Sequence, residues 1–85
     1  MNPEIDLLAF AAVENLKAAG LTVCTAESCT GGMISAALTE VPGASAVFRY
    51  GWVTYCNEAK ERLLNVPTKL IEEHTVVSEP VVAAM

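Results

Sequence analysis

This 85-residue chain has few histidines and few basic residues. With one histidine, His74, and no C-x-x-C pair, it does not offer the four ligands of a structural zinc site, so we expect no metal ion. Five basic residues against ten acidic ones give a net charge of −5, which argues against binding to a nucleic-acid backbone. No apolar run approaches the ~20 residues of a membrane span, and no basic leader is present. Three cysteines cannot all pair within one chain, which favours reduced thiols and a reducing compartment. We therefore expect a cytoplasmic protein, and the charge and the lack of a long apolar run lead us to expect no contact with nucleic acid or membrane.

The chain is apolar for its length. Hydrophobic residues make up 53% of it, and the mean hydropathy is +0.41. A chain of this size buries only roughly 60% of its unfolded surface, so it cannot hide so many apolar residues in its own interior. We therefore expect a homo-oligomer, or a longer domain of which these residues are one part.

Apolar periodicity and turn residues predict alternating helices and strands. The predicted elements are a helix over 3–19 between Asn2 and Gly20, a strand over 21–26, a helix over 30–39, a strand over 47–56, a helix capped by Asn57, a helix from Pro67 or Thr68 to His74 and a helix start capped by Ser78. Gly51 indicates a bulge or a close backbone approach in the second strand. This alternation predicts an α/β fold, and the first strand, polar on neither face, is expected to be covered by helices on both sides.

One stretch combines the features of a functional loop. Residues 24–32 (CTAESCTGG) predict a strand that turns through small hydroxyl residues and a glycine pair into a helix N-terminus. Such a junction directs backbone N–H groups and the positive end of a helix dipole at one point, which is typical of an anion site or an oxyanion hole. The alternative is a pair of glycines that serves only to turn the chain.

Four sequence blocks resemble one known family. They are residues 25–32 (TAESCTGG), 41–48 (VPGASAVF), 51–60 (GWVTYCNEAK) and 77–81 (VSEPV). Together, in this order and spacing, they resemble the CinA C-terminal domain family of competence/damage-inducible proteins, whose members include nicotinamide-nucleotide amidases. The resemblance implies a layered α/β/α sandwich and a cytoplasmic amidohydrolase that converts nicotinamide mononucleotide to nicotinate mononucleotide and ammonia in pyridine-nucleotide salvage. It implies a serine and lysine pair and no cofactor.

The resemblance covers only part of the family's domain. Family members carry a second half with a glycine-rich segment close to GIAGPGG, and this sequence has no such segment. Residues 1–85 are therefore expected to form the N-terminal half of a CinA-type amidase domain, as a single truncated domain. Two alternatives to an amidase stay open at this point: a non-catalytic nucleotide-binding or interaction module, and an inactive half-domain.

Lys60 and Tyr55 are the expected acid–base residues. Lys60 lies in the first turn of the helix after Asn57, where the helix dipole favours a neutral amine. A neutral amine is what serine activation by a general base requires. Tyr55 is a candidate to orient Lys60 or to relay a proton to the leaving group. Without the resemblance, a solvated surface lysine would be the simpler interpretation.

Two serines qualify as the nucleophile. Ser28 lies on the 24–32 loop, where neighbouring N–H groups offer an oxyanion hole. Ser45 lies in a small-residue turn before the strand that leads to Tyr55 and Lys60. If the helix start holds the substrate's phosphate, the carboxamide lies a ribose and a ring away from it, which favours Ser45, with Ser28 assisting. Both are retained as catalytic candidates.

Four further residues are candidates for binding the substrate. Glu27 either faces the cationic pyridinium ring or caps the loop. Thr30 is either a phosphate ligand or a helix N-cap, and one hydroxyl is able to serve as both. Gly31 and Gly32 would allow a phosphate to approach the main chain closely. These assignments predict a small-molecule nucleotide as the partner.

Overall fold

A computed structural model describes residues 1–85 of the protein. Its elements are helix α1 (Pro3–Ala19), strand β1 (Val23–Glu27), helix α2 (Met33–Thr39), a 3-10 turn (Ala44–Ala46), strand β2 (Phe48–Val53) and helices α3 (Asn57–Leu64), α4 (Thr68–His74) and α5 (Glu79–Ala84). The α/β class predicted from the sequence is confirmed. None of the helices combines the length and apolarity needed for a membrane crossing.

Helix α1 has the ends that its sequence predicts. The Asn2 side chain accepts a hydrogen bond from the backbone N–H of Ile5 at 2.9 Å, which satisfies one of the free donors in the first turn. Gly20 ends the helix in the left-handed conformation at φ 68°, and its N–H donates back to the last turn.

The two strands pair in parallel. Val23 lies opposite Phe48 and Glu27 lies opposite Val53, so both strands reach the same edge of the sheet at their carboxyl ends. The register shifts between Val23 and Cys24, which leaves Arg49 as an extra residue in β2. The predicted close approach at Gly51 is confirmed, because a Cβ atom there would lie 2.6 Å from Thr25 Oγ1.

The helices of this chain cover one face of the sheet. Helix α2 packs against both strands and α1 packs against α2. The opposite face presents four exposed side chains: Cys24, Ala26, Tyr50 and Trp52. The expectation that β1 is covered on both sides is therefore wrong for these 85 residues, since the apolar pattern of a strand does not reveal which segment supplies the cover.

The buried apolar residues form two separate clusters. The larger lies between α1, α2 and the amino ends of the strands, and comprises Ala9, Val13, Ala37, Leu38, Val41, Ala44 and Val47. The smaller joins α4 and α5 through Val66, Ile71 and Val81. Helix α3 lies between the two clusters in the chain, and its buried residue is Lys60.

The N-cap of helix α3 lies one residue earlier in the chain than predicted. Cys56 is the N-cap, and its Sγ accepts from the N–H of Ala59 at 3.4 Å, whereas Asn57 is already helical. Asparagine is the better N-cap by composition, so the position of the strand end, and not local preference, decides the cap here. Lys60 consequently lies one position deeper in the helix than predicted.

Candidate functional site

Ser28 lies where β1 ends. The strand stops at Glu27, and residues 28–32 carry the chain to the start of α2. Both glycines of this loop have positive φ, at 74° for Gly31 and 120° for Gly32, a backbone region that L-residues rarely adopt. The glycine pair thus allows the tight turn, and Ser28 is held half-buried at the carboxyl edge of the sheet.

Lys60 reaches the same edge from the first part of α3. Its side chain is only 1% exposed. The Nζ atom lies 2.8 Å from Ser28 Oγ and donates to the carbonyl oxygen of Thr54 at 2.7 Å. None of the ion pairs of the protein involves Lys60, so no carboxylate lies within 4 Å of the amine. A buried amine whose polar neighbours are a serine hydroxyl and a carbonyl is an arrangement suited to serine activation.

The Glu27 carboxylate caps α2. It accepts from the N–H of Ile34 at 2.7 Å, from the N–H of Ser35 at 3.0 Å and from the Ser35 hydroxyl at 2.5 Å. Burial raises the pKa of Glu27, but the hydrogen bonds from Ser35 and Ile34 outweigh it and hold that pKa below its ordinary value. Of the two roles considered for Glu27, these hydrogen bonds show capping, and contact with the pyridinium ring stays a prediction.

Thr30 is also used within the loop. Its Oγ1 accepts from the N–H of Gly32 at 3.3 Å and from the N–H of Met33 at 3.1 Å. Together, Thr30 and Glu27 therefore occupy the free donors at the start of α2. The N–H of Gly31 donates to the carbonyl of Ser28 at 3.0 Å. These bonds contradict the expected phosphate cradle at Gly31 and Gly32, because the amides that would bind the anion already have partners.

Free backbone donors are found instead beside the serine. The N–H groups of Ser28, Cys29 and Thr30 donate to no acceptor of the protein. Three consecutive unpaired amides next to a serine hydroxyl are candidates to stabilise a developing oxyanion. Donors for the expected oxyanion hole are thus available on this loop, in the three residues that directly precede the glycine pair.

Ser45 lies at the other end of the sheet. It is exposed in the 3-10 turn that precedes β2, whereas Lys60 follows β2. The length of β2, at about 3.3 Å per residue, separates the two by roughly 15–20 Å. Since the phosphate cradle that favoured Ser45 is also contradicted, the preference for Ser45 over Ser28 is corrected: the structure brings Lys60 to Ser28.

Tyr55 does not orient the lysine. Its side chain is 71% exposed, and the acceptors next to Lys60 Nζ are Ser28 and Thr54. A role for Tyr55 toward a leaving group stays a prediction.

Sequence reasoning missed Thr54, which is fully buried between Glu27 and Lys60. The signal that could have found it is its position at the end of a strand, because the partner strand ends just before Ser28.

A cleft of about 350 Å³ opens beside the serine. Polar residues of the 28–32 loop form one side, and apolar side chains of α2 and α5 form the other. The lining residues are Ala26, Glu27, Ser28, Cys29, Thr30, Met33, Ile34, Val82 and Met85. No basic side chain is among them, so the cleft offers no cationic side chain to a phosphate.

Comparison with known proteins gives one consistent result. The family model described as the CinA C-terminal domain matches residues 6–85. A CinA-like protein from Synechococcus sp. (strain CC9902) is 55% identical over 80 residues, which are 94% of this chain and 19% of that protein. A CinA-like protein from Citrifermentans bemidjiense is 59% identical over 70 residues, which are 82% of this chain and 17% of that protein.

Solved structures agree with this result. The competence/damage inducible protein CihA from Agrobacterium tumefaciens matches with a TM-score of 0.97 at 42% identity, over 100% of this chain and 52% of that one. A CinA superfamily protein from Escherichia coli matches with a TM-score of 0.90 at 34% identity, over 99% of this chain and 50% of that one. The chain therefore spans about a fifth of the relatives' length and about half of these solved chains.

Proposed function

Because this chain belongs to the CinA C-terminal domain family, we propose that it carries the reactive half of an amidase that hydrolyses the carboxamide of nicotinamide mononucleotide. Ser28 is the nucleophile and Lys60 is the general base. The observation that carries the proposal is the 2.8 Å separation of Lys60 Nζ and Ser28 Oγ in a site where the amine has no carboxylate partner. The choice of substrate rests on the resemblance to nicotinamide-nucleotide amidases.

The first half of the reaction forms an ester. The neutral amine of Lys60 takes the proton of the Ser28 hydroxyl while Oγ attacks the carboxamide carbon. The free N–H groups of Cys29 and Thr30 donate to the oxygen that gains the negative charge. The carbon–nitrogen bond then breaks, the proton passes from Lys60 to the leaving nitrogen, and ammonia departs.

The second half of the reaction restores the serine. Water attacks the ester carbon and gives up a proton to Lys60. The bond between the carbon and Ser28 Oγ breaks, and that oxygen regains a proton from Lys60. The products are nicotinate mononucleotide and the original hydroxyl–amine pair, so one water is consumed and one ammonia is released per cycle.

We infer that another part of the full-length protein binds the phosphate of this substrate. The amides at the start of α2 are occupied by Glu27 and Thr30, and the cleft beside Ser28 has no basic lining residue. For the same reason, the alternative of a module that binds nucleotides through a phosphate cradle at this helix has less support than the amidase.

The test is ammonia release from nicotinamide mononucleotide by the full-length protein. Lys60→Met keeps the chain length of the buried side chain and removes its basic nitrogen, and we expect it to lower kcat/KM by at least about 10³-fold. Lys69→Met is the matched control, because Lys69 is exposed and pairs only with Glu73. No ammonia from the unmodified protein, or full activity in a folded Lys60→Met variant, would discard the proposal.

A further inference from the structure

Thr54 occupies an unusual place in the site. It is the first residue after β2 and is fully buried, although it is polar. Buried hydroxyl groups are retained where they make hydrogen bonds. The Thr54 hydroxyl donates to the carbonyl oxygen of Glu27 at 3.3 Å, and the Thr54 N–H donates to the same oxygen at 2.8 Å.

Two bonds from one residue to one carbonyl fix the end of β2 against the end of β1. The backbone bond alone would be available to almost any residue at this position. The hydroxyl adds a second donor to the carbonyl of Glu27, which directly precedes Ser28 in the chain. Any rotation of the Thr54 peptide away from β1 would break both bonds, so the threonine restrains the backbone on which the lysine depends.

The carbonyl of Thr54 is one of the two polar partners of the amine. It accepts from Lys60 Nζ at 2.7 Å, and Ser28 Oγ is the other partner at 2.8 Å. In the neutral form that the proposed function requires, the amine has two N–H donors and one lone pair. When one N–H is used on the Thr54 carbonyl, the rotation of the amine is restricted, and the lone pair is able to face Ser28.

We propose that Thr54 is a positioning residue for the dyad: its hydroxyl and N–H hold it on the strand that leads to Ser28, while its carbonyl aims the amine of Lys60 at Ser28 Oγ. This inference rests on the proposed function for the identity of the dyad. Thr54 itself touches no reacting atom, and it acts through the orientation of Lys60.

The test compares Thr54→Val with Thr54→Ser in the full-length protein. Valine preserves the shape of threonine and removes the hydroxyl, whereas serine preserves the hydroxyl. The first readout is the rate at which a fluorophosphonate probe modifies Ser28, followed by peptide mass spectrometry. The second is kcat and KM for ammonia release. Thr39→Val is the control for loss of a hydroxyl, because Thr39 Oγ1 bonds only within α2 and the residue is exposed.

We expect Thr54→Val to slow Ser28 modification and kcat by about tenfold to a hundredfold with little change in KM, since a small misplacement of a catalytic group has effects of this size. Thr54→Ser and Thr39→Val should stay within about threefold of the unmodified protein in both readouts. Unchanged labelling in Thr54→Val, or equal slowing in Thr54→Ser, would overturn the positioning role.

The two readouts separate this inference from the proposed amidase. If Ser28 of the unmodified protein reacts with the probe but no ammonia is released, the amidase proposal fails while the labelling rates still test Thr54. If Thr54→Val does not fold, Thr54→Cys replaces it, because a thiol is small and only a weak donor. A wild-type labelling rate in Thr54→Cys would then overturn the role of the hydroxyl.

Discussion

Lys60 Nζ lies 2.8 Å from Ser28 Oγ, although 32 positions separate the two residues in the chain. They meet because Glu27 pairs with Val53 in a parallel register, so the chain leaves both strands at one edge of the sheet. In parallel sheets this carboxyl edge is the usual place for ligand sites. The hydrogen bonds of Glu27 and Thr54 hold this edge together.

Glu27→Gln is expected to destabilise the protein in a pH-dependent way. Replacing a buried carboxylate that accepts three hydrogen bonds should lower the free energy of unfolding by about 2 kcal/mol at pH 7. Because the pKa of Glu27 is lowered in the folded state, its contribution is fully present above the unfolded pKa of 4.5 and is lost as the pH falls through the folded value. The measurement is urea unfolding of both proteins across this range.

The control for this experiment is Glu72→Gln, since Glu72 is exposed in α4 and has no ion-pair partner. Its stability should follow that of the unmodified protein at every pH. If the difference in unfolding free energy between Glu27→Gln and the unmodified protein does not shrink on acidification, the hydrogen bonds of the charged carboxylate are not the cause of the destabilisation.

Gly51→Ala is expected to destabilise the contact between β2 and α2. The new Cβ would lie 2.6 Å from Thr25 Oγ1 and 3.0 Å from Ser35 Oγ, so side chains or backbone must shift. Overpacking of this kind costs about 1–3 kcal/mol. Thermal and urea unfolding measure the loss, and adding Thr25→Ala should recover part of it by removing the nearest atom. A single variant as stable as the unmodified protein would refute the close approach.

Inorganic phosphate should not bind at the start of α2. The N–H groups of Gly32, Met33, Ile34 and Ser35 are held by Thr30 and Glu27, so an added anion would have to displace an internal partner. Backbone amide chemical shifts during a phosphate titration at constant ionic strength report on each of these groups. Saturable shifts at Gly31 and Gly32 would restore the phosphate cradle and count against this view of the site.

The sequence predicted local features well, because they depend on neighbouring residues. The Asn2 cap, the Gly20 terminus and the close approach at Gly51 follow from side-chain size and turn chemistry. The cap of α2 could not be predicted in the same way, since its acceptor, Glu27, comes from the preceding strand and lies outside the usual capping position. The amides of the glycine pair have other acceptors: the N–H of Gly31 donates to the carbonyl of Ser28 and the N–H of Gly32 donates to Thr30 Oγ1, so neither is left for a phosphate.

The choice between the two serines depended on topology. Ser28 and Lys60 each follow a strand, whereas Ser45 precedes one. Given a parallel pairing, this difference alone would have favoured Ser28, but the residues of β1 and β2 do not by themselves specify parallel over antiparallel pairing. The exposed face with Tyr50 and Trp52 was likewise beyond prediction, because the apolar pattern of a strand does not show which segment packs on each of its faces.

The most direct measurement of the central claim is ammonia release from nicotinamide mononucleotide by full-length Ser28→Ala and Ser45→Ala proteins. We predict that Ser28→Ala lowers kcat by at least about 10³-fold, because the nucleophile is lost, while Ser45→Ala stays within about threefold of the unmodified protein. The opposite result, with activity retained in Ser28→Ala and lost in Ser45→Ala, would contradict the assignment of Ser28 and Lys60 as the reacting pair.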